Sequence, residues 1–212
     1  MTLTVSMTDE ELIVFGRNEA SSELSAIGKV ADQFTDSFVE TIHVLAECTG
    51  KVIVTGSGTS STIARRLAHL LSVTCKPGLF VHAMDALHGT MGAIEPTDVL
   101  IAISKGGESD EINNLCKLVH DKGTKLIGLG EHPESTFASL CDVFVHLHTD
   151  EGGDPENVIA MGSTLLAAVW GDALVRTMMK LNGWDVSESL SLHPAGFVGK
   201  SAEEILRQQE SK

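Results

Sequence analysis

The 212-residue sequence has no tyrosine, only 7 Phe and 2 Trp, and just 15 Lys and Arg to set against 29 Asp and Glu. The resulting formal net charge of −14 excludes a nucleic-acid binder or a protein held on an anionic membrane, because both need clustered Lys and Arg. No apolar run approaches the roughly 20 residues that a bilayer-spanning helix requires. Residues 1–11 carry acids where a secretory leader would carry positive charge, and no apolar stretch follows them. A soluble, cytoplasmic protein is the expectation. Cys48, Cys75, Cys116 and Cys141 lie far apart, in neither CxxC nor Cys/His metal spacing, so they read as small reduced thiols in or near the core. Their pattern asks for no metal and no other cofactor, and none is expected.

What is present is a core-forming chain. Hydrophobic residues make up 42%, the length suits one domain, and a chain of this size buries about 70% of its unfolded surface. Residues 1–50 are helical in pattern. Thr8-Asp9-Glu10-Glu11 has the capping-box form that satisfies orphan amides at a helix start. Leu24, Ile27, Ala31, Phe34, Phe38, Ile42 and Leu45 recur at three- and four-residue spacing, predicting a continuous apolar helical stripe.

From residue 51 the texture changes. Apolar runs at 51–55, 78–82, 99–103, 125–129 and 142–146 alternate with helical patterns at 59–73, 110–122 and 134–140. Such alternation predicts βαβ units in a parallel sheet, and the unbroken apolar runs predict strands covered on both faces. A loop at 150–155 leads to a helix over 159–181, stopped by Asn182-Gly183. A polar turn, His193-Pro194-Ala195-Gly196, and a short helix from Ser201 complete the chain. The predicted fold class is α/β: a doubly wound five-stranded parallel sheet, flavodoxin-like or Rossmann-like, over 51–190. A helical extension, 1–50, precedes it, and a C-terminal turn and short helix, 191–212, follow.

Ligands of open α/β sheets bind beyond the carboxyl ends of the strands. Gly56-Ser57-Gly58-Thr59-Ser60-Ser61 follows the first strand, and Ser104-Lys105-Gly106-Gly107-Glu108-Ser109 follows the run ending at Ile103. Each turn feeds a helix, so each offers backbone N–H groups, hydroxyls and a positive helix end, the ingredients of an anion site. The first turn lacks the third glycine of the dinucleotide fingerprint and is too short for a Walker-type loop. The expected ligand is a small molecule with a lone phosphate, held where the two turns converge and Ser60 and Ser109 share a hollow.

These residues resemble a known family. The paired serine-bearing turns, their spacing and the strand order are similar to the sugar isomerase (SIS) domain, and most similar to the KpsF/GutQ-like arabinose-5-phosphate isomerase group. The resemblance is carried by Phe80-Val81-His82, by Ala86-Leu87-His88-Gly89 with Gly92, and by the run from Val99 to Ile112. His132-Pro133-Glu134-Ser135, Gly171-Asp172-Ala173-Leu174 and His193-Pro194-Ala195-Gly196 extend it over about residues 24–200. It implies a phosphate held by the hydroxyls of Thr59 and Ser60, with Ser57 beside them, and by Ser104 and Ser109, with backbone donors at Lys105 and Gly106. It also implies that His88, Glu111, Glu151 and His193 surround the sugar. Two departures stand out: Thr59 occupies a position where the group usually has Lys, and 151–161 lacks the group's Pro-Thr-Ser-rich pattern. The paired CBS modules that often follow in that group do not occur within these 212 residues.

The implied reaction moves a proton between adjacent carbons of an aldose and a ketose through a cis-enediol, with no redox cofactor. It needs a base, a group to return the proton, and a donor for the developing oxyanion. Glu111 begins the helix after the second turn, while His88 and His193 have side chains whose unperturbed pKa is ~6.5. The base is Glu111, Glu151 or His193, and a histidine opens the sugar ring or polarises the carbonyl. A 6-phospho-3-hexuloisomerase-like enzyme, another sugar-phosphate isomerase, and a non-catalytic sugar-phosphate sensor are the competing readings, since one fold serves several functions. His146 and His148 offer too few ligands for a metal and read as strand-end residues. Met178 and Met179 read as packing, and the acids of 150–156 as a solvated loop. The N-terminal stripe and the apolar helix at 159–181 exceed what one sheet covers, so a homo-oligomer, dimer or tetramer, is expected.

Overall fold

The computed structural model describes residues 6–192 together with Glu204, Arg207 and Gln208, which are helical. His193 and the turn at 193–196 lie outside the described residues. Five strands form one sheet: β1 (Val52–Gly56), β2 (Gly78–Phe80), β3 (Val99–Ile103), β4 (Lys125–Gly130) and β5 (Val143–His146). Their order is β2-β1-β3-β4-β5, with every neighbouring pair parallel. The order reverses between β1 and β3, where Gly56 pairs with Ile103 at the carboxyl ends. That switch point opens the crevice in which doubly wound sheets bind ligands.

Both faces of the sheet are covered, which accounts for the unbroken apolar strands. Val52, Val54 and Ile101 pack with α2 (Asp36–Glu47), α3 (Gly58–Thr74) and α7 (Gly162–Asn182). Ile53, Leu100 and Leu126 pack on the other face with α4 (Ala83–Leu87), α5 (Asp110–His120) and α6 (Thr136–Leu140). The remaining helices are α1 (Asp9–Ile27) and the short α8 (Val186–Leu192). Among the described residues no helix is long and apolar enough to cross a membrane.

The capping box forms as expected: the Glu11 amide donates to Thr8 Oγ1 at 3.3 Å, and the Thr8 amide to Glu11 Oε2 at 2.8 Å. The continuous stripe does not. The chain breaks after Ile27, makes a 3-10 turn at Val30–Gln33, and restarts as α2, leaving Leu24 67% exposed. The Gln33 amide group holds this bend by bonding both the carbonyl and the amide of His148, each at 2.8 Å. Thr35, in extended backbone, then opens α2. Ile27 and Leu45 are the buried members of the pattern, and Phe34 and Phe38 pack half-buried beside them, with ring centroids 6.4 and 5.6 Å from that of Trp170.

Two element ends also shift. β2 stops at Phe80 because His82 turns away to cap α4, its Nδ1 accepting from the Met84 amide at 3.3 Å. α7 begins at Gly162 rather than 159, after a 3-10 turn at Pro155–Asn157, and ends as expected at Gly183, in the left-handed region at φ 68°.

Candidate functional site

The second turn is shaped by its buttress. Gly107 has φ +71°, and a β-carbon there would lie 2.3 Å from Ser135 Oγ, so glycine alone lets the turn rest on the start of α6. The Gly107 carbonyl accepts from the Phe137 amide and from Asn113 Nδ2, each at 3.1 Å, and Glu108 Oε1 accepts from the Thr136 amide at 2.8 Å. The His132-Pro133-Glu134-Ser135 motif therefore holds the turn from behind, with Ser135 also capping α6. The amides of Lys105, Gly106, Gly107 and Glu108 donate to no other described residue. A run of unpaired N–H groups ahead of a helix attracts an anion.

The first turn meets the second through one hydrogen bond: Ser57 Oγ donates to Glu111 Oε1 at 2.5 Å. That bond, the amide of Glu111 itself and the nearby His82 outweigh a small burial effect and hold the Glu111 carboxyl below the usual carboxylate range. Glu111 is thus an ionised acceptor at the switch point.

Between α3 and α7, a small open hollow is lined by Ser60, Lys105, Glu131, Ser163 and Thr164 over an apolar floor. Ser109 does not line it. That residue is half-buried at the start of α5, and its side chain makes no capping bond. The turns therefore join at Ser57 and Glu111 rather than at Ser60 and Ser109. Ser104 is buried, its amide spent on the Leu129 carbonyl at 3.0 Å, whereas Thr59 and Gly106 are exposed.

Lys105 is more than a source of backbone donors. Its Nζ lies 2.6 Å from Asp154 Oδ2, 2.6 Å from Asn157 Oδ1 and 3.6 Å from Glu131 Oε2. Asp154 is buried, and its Oδ1 accepts the amides of Met161 and Ser163 at 2.7 and 3.0 Å. Burial alone would raise its pKa; Lys105 and the bonds from Ser163 and Met161 prevail and hold it below the usual range. Glu151, the expected acid of this loop, is exposed; Asp154 is the acid that reaches the second turn. His88 caps the end of α4 through its backbone, and its exposed side chain has no polar partner among the described residues.

Three residues at the site go beyond the sequence-based expectations. Glu131 follows β4 directly, where the strand-end rule already points, and it also accepts from the Thr149 amide at 3.0 Å and lies 3.1 Å from His148 Nδ1. His82 follows β2, one strand from Ser57. Asp154 carries no sequence signal beyond being one acid among several. Of the two histidines expected on the fifth strand, only His146 is in β5. Among the described residues no group of three His, Cys, Asp or Glu is placed to hold a metal ion. All four cysteines are free. Burial pushes the Cys116 thiol up, and likewise Cys141, to about 12, so both stay protonated.

The SIS domain pattern matches residues 45–175 of this chain. The arabinose 5-phosphate isomerase GutQ of Escherichia coli K12 is 30% identical over 190 residues, which cover 90% of this chain and 59% of that protein. The arabinose 5-phosphate isomerase KpsF of Escherichia coli is 30% identical over 196 residues, 92% of this chain and 60% of that one. The chain thus spans about three fifths of the length of these relatives. The solved structure of Escherichia coli CFT073 c3406, a complex with arabinose 5-phosphate, matches with a TM-score of 0.84 and 31% identity, covering 89% of this chain and 100% of that one.

Proposed function

Since the chain belongs to the SIS domain family, we propose that it interconverts the aldose and ketose forms of a sugar phosphate, arabinose 5-phosphate and ribulose 5-phosphate being the first pair to try. The observation that carries this reading is the Ser57–Glu111 hydrogen bond, which ties an ionised carboxylate at the start of α5 to the turn after β1.

The phosphate rests on the unpaired amides of 105–108 and the hydroxyl of Ser104, ahead of the positive end of α5. Thr59 and Ser60 add hydroxyl donors from the first turn, while the hydroxyl hydrogen of Ser57 is given to Glu111. Glu111, on the first turn of α5, then faces the carbon chain of the same substrate and takes the proton from C2 of the aldose. The electron pair moves to the C1–C2 bond, the carbonyl oxygen takes up a proton, and a cis-enediol results. Glu111 returns its proton to C1 as the C2 hydroxyl loses its own, which leaves the ketose. His88, solvent-exposed and unpaired among the described residues, serves ring opening. Glu111 is preferred to Glu151 because the first turn fixes it; His193 is assigned by family pattern only. Thr59, uncharged where the related group carries Lys, keeps hexulose 6-phosphates in the substrate panel.

The active form is a cytoplasmic homo-oligomer. Leu12, Ile13 and Phe15 of α1 are 43%, 56% and 55% exposed, and Leu165 and Val169 of α7 are 40% and 41% exposed, a pattern that calls for covering by further copies. Proton NMR of the purified protein with arabinose 5-phosphate, then with other pentose and hexose phosphates, tests the reaction. Appearance of the ketose supports it. Binding without conversion across the panel replaces the enzyme with a sensor.

A further inference from the structure

We infer that Asp154 and Asn157 hold the Lys105 ammonium back from the bound phosphate, so that the loop over residues 150–157 sets the affinity of the site. This rests on the sugar-phosphate reading and adds a specificity device to it.

Among the described residues, Lys105 is the one cationic side chain lining the hollow that contains Ser60; the other polar residues around it are Glu131 and the hydroxyl-bearing Ser60, Ser163 and Thr164. The ammonium is already spent. It makes two contacts of 2.6 Å, to Asp154 and Asn157, and a looser one of 3.6 Å to Glu131. A phosphate arriving beside Ser60 meets a cation whose charge two carboxylates have offset, and it must compete for that cation.

The two near partners differ in how firmly they are placed. Asp154 is anchored by the Met161 and Ser163 amides at the start of α7, whichever way Lys105 turns. Asn157 is exposed, and with Glu156 it adopts a left-handed backbone, φ +56° and +51°. Two consecutive non-glycine residues in that region are strained, and the Lys105 contact helps offset the strain. Asn157 is therefore the partner that yields first, and Asp154 is the positioning residue that governs how much charge Lys105 has left to give.

The test is calorimetric titration of inorganic phosphate into the full chain and its variants. Asp154→Asn keeps an oxygen for the Met161 and Ser163 amides but removes the competing charge. It is expected to tighten phosphate binding about tenfold and to steepen its dependence on salt. Asn157→Ala moves affinity the same way by less. Both gains vanish in a Lys105→Met background. Unchanged or weaker binding in Asp154→Asn, or an equal gain without Lys105, overturns the inference, as does an absence of phosphate binding in every variant. Should Asp154→Asn fail to fold, Asn157→Ala at its exposed position decides alone, and no gain there is fatal. If these gains appear while no sugar phosphate is turned over, the reaction reading falls and the Lys105 device stands.

Discussion

Ser57 Oγ lies 2.5 Å from Glu111 Oε1, although 54 residues separate them in sequence. The bond ties the turn after β1 to the helix after β3 and favours the charged carboxylate. Removing it with Ser57→Ala raises the Glu111 pKa. A base must be deprotonated to act, so the acid limb of the kcat/KM profile moves to higher pH. Glu111→Gln lowers kcat by about a hundredfold or more at every pH. A pH–rate profile of both variants checks the pair of outcomes.

His88 is exposed and contributes nothing to the core. His88→Ala therefore leaves the melting temperature unchanged while kcat falls by roughly 10²-fold, the usual worth of a proton-transfer group. Thermal unfolding and steady-state rates on the same preparation separate the two effects.

The sheet is legible in the sequence because its strands are short apolar runs buried on both faces, such as Val99-Leu100-Ile101-Ala102-Ile103, bounded by Gly and Ser. Both glycine- and hydroxyl-bearing turns are legible by the same strand-end logic. Strictly applied, that logic also reaches Glu131 and His82. The stripe from Leu24 to Leu45 misleads because periodicity is blind to a bend: Gln33 breaks the helix by binding the backbone of His148, 115 residues away. The Lys105–Asp154 pair is hidden for the same reason, being a long-range contact between a turn and an acidic loop with no local pattern.

Asp98 anchors the amino-terminal ends of β1 and β3. Its buried carboxylate accepts the amides of Lys51 and Glu95 at 2.7 and 2.9 Å and pairs with Lys51 Nζ at 2.9 Å. Burial works against the charge, but these bonds outweigh it and hold the pKa below the usual aspartate value. Asp98→Ala strands two amides and costs about 2–3 kcal/mol near neutral pH. A depressed pKa gives stability that is present above the unfolded value, ~3.9, and is lost as pH falls through the folded one. The wild-type advantage over the variant therefore narrows below about pH 4, which urea unfolding at several pH values measures.

Phe15 on α1 is 55% exposed, amid Leu12 and Ile13. Phe15→Glu places a charge in a surface proposed to be shared between copies, and it shifts the light-scattering mass downward while leaving the circular dichroism spectrum intact. A wild-type protein that is monomeric at every concentration contradicts the assembly.

Solvent isotope incorporation reaches the proton transfer itself. The protein is incubated in deuterium oxide with arabinose 5-phosphate and with the other sugar phosphates of the panel, and mass spectrometry and NMR then follow deuterium at C1 and C2. The account predicts one deuterium per molecule in the wild type on at least one substrate, and its near loss in Glu111→Gln. Incorporation that is undiminished in Glu111→Gln, or absent from every sugar phosphate with the wild type, contradicts it.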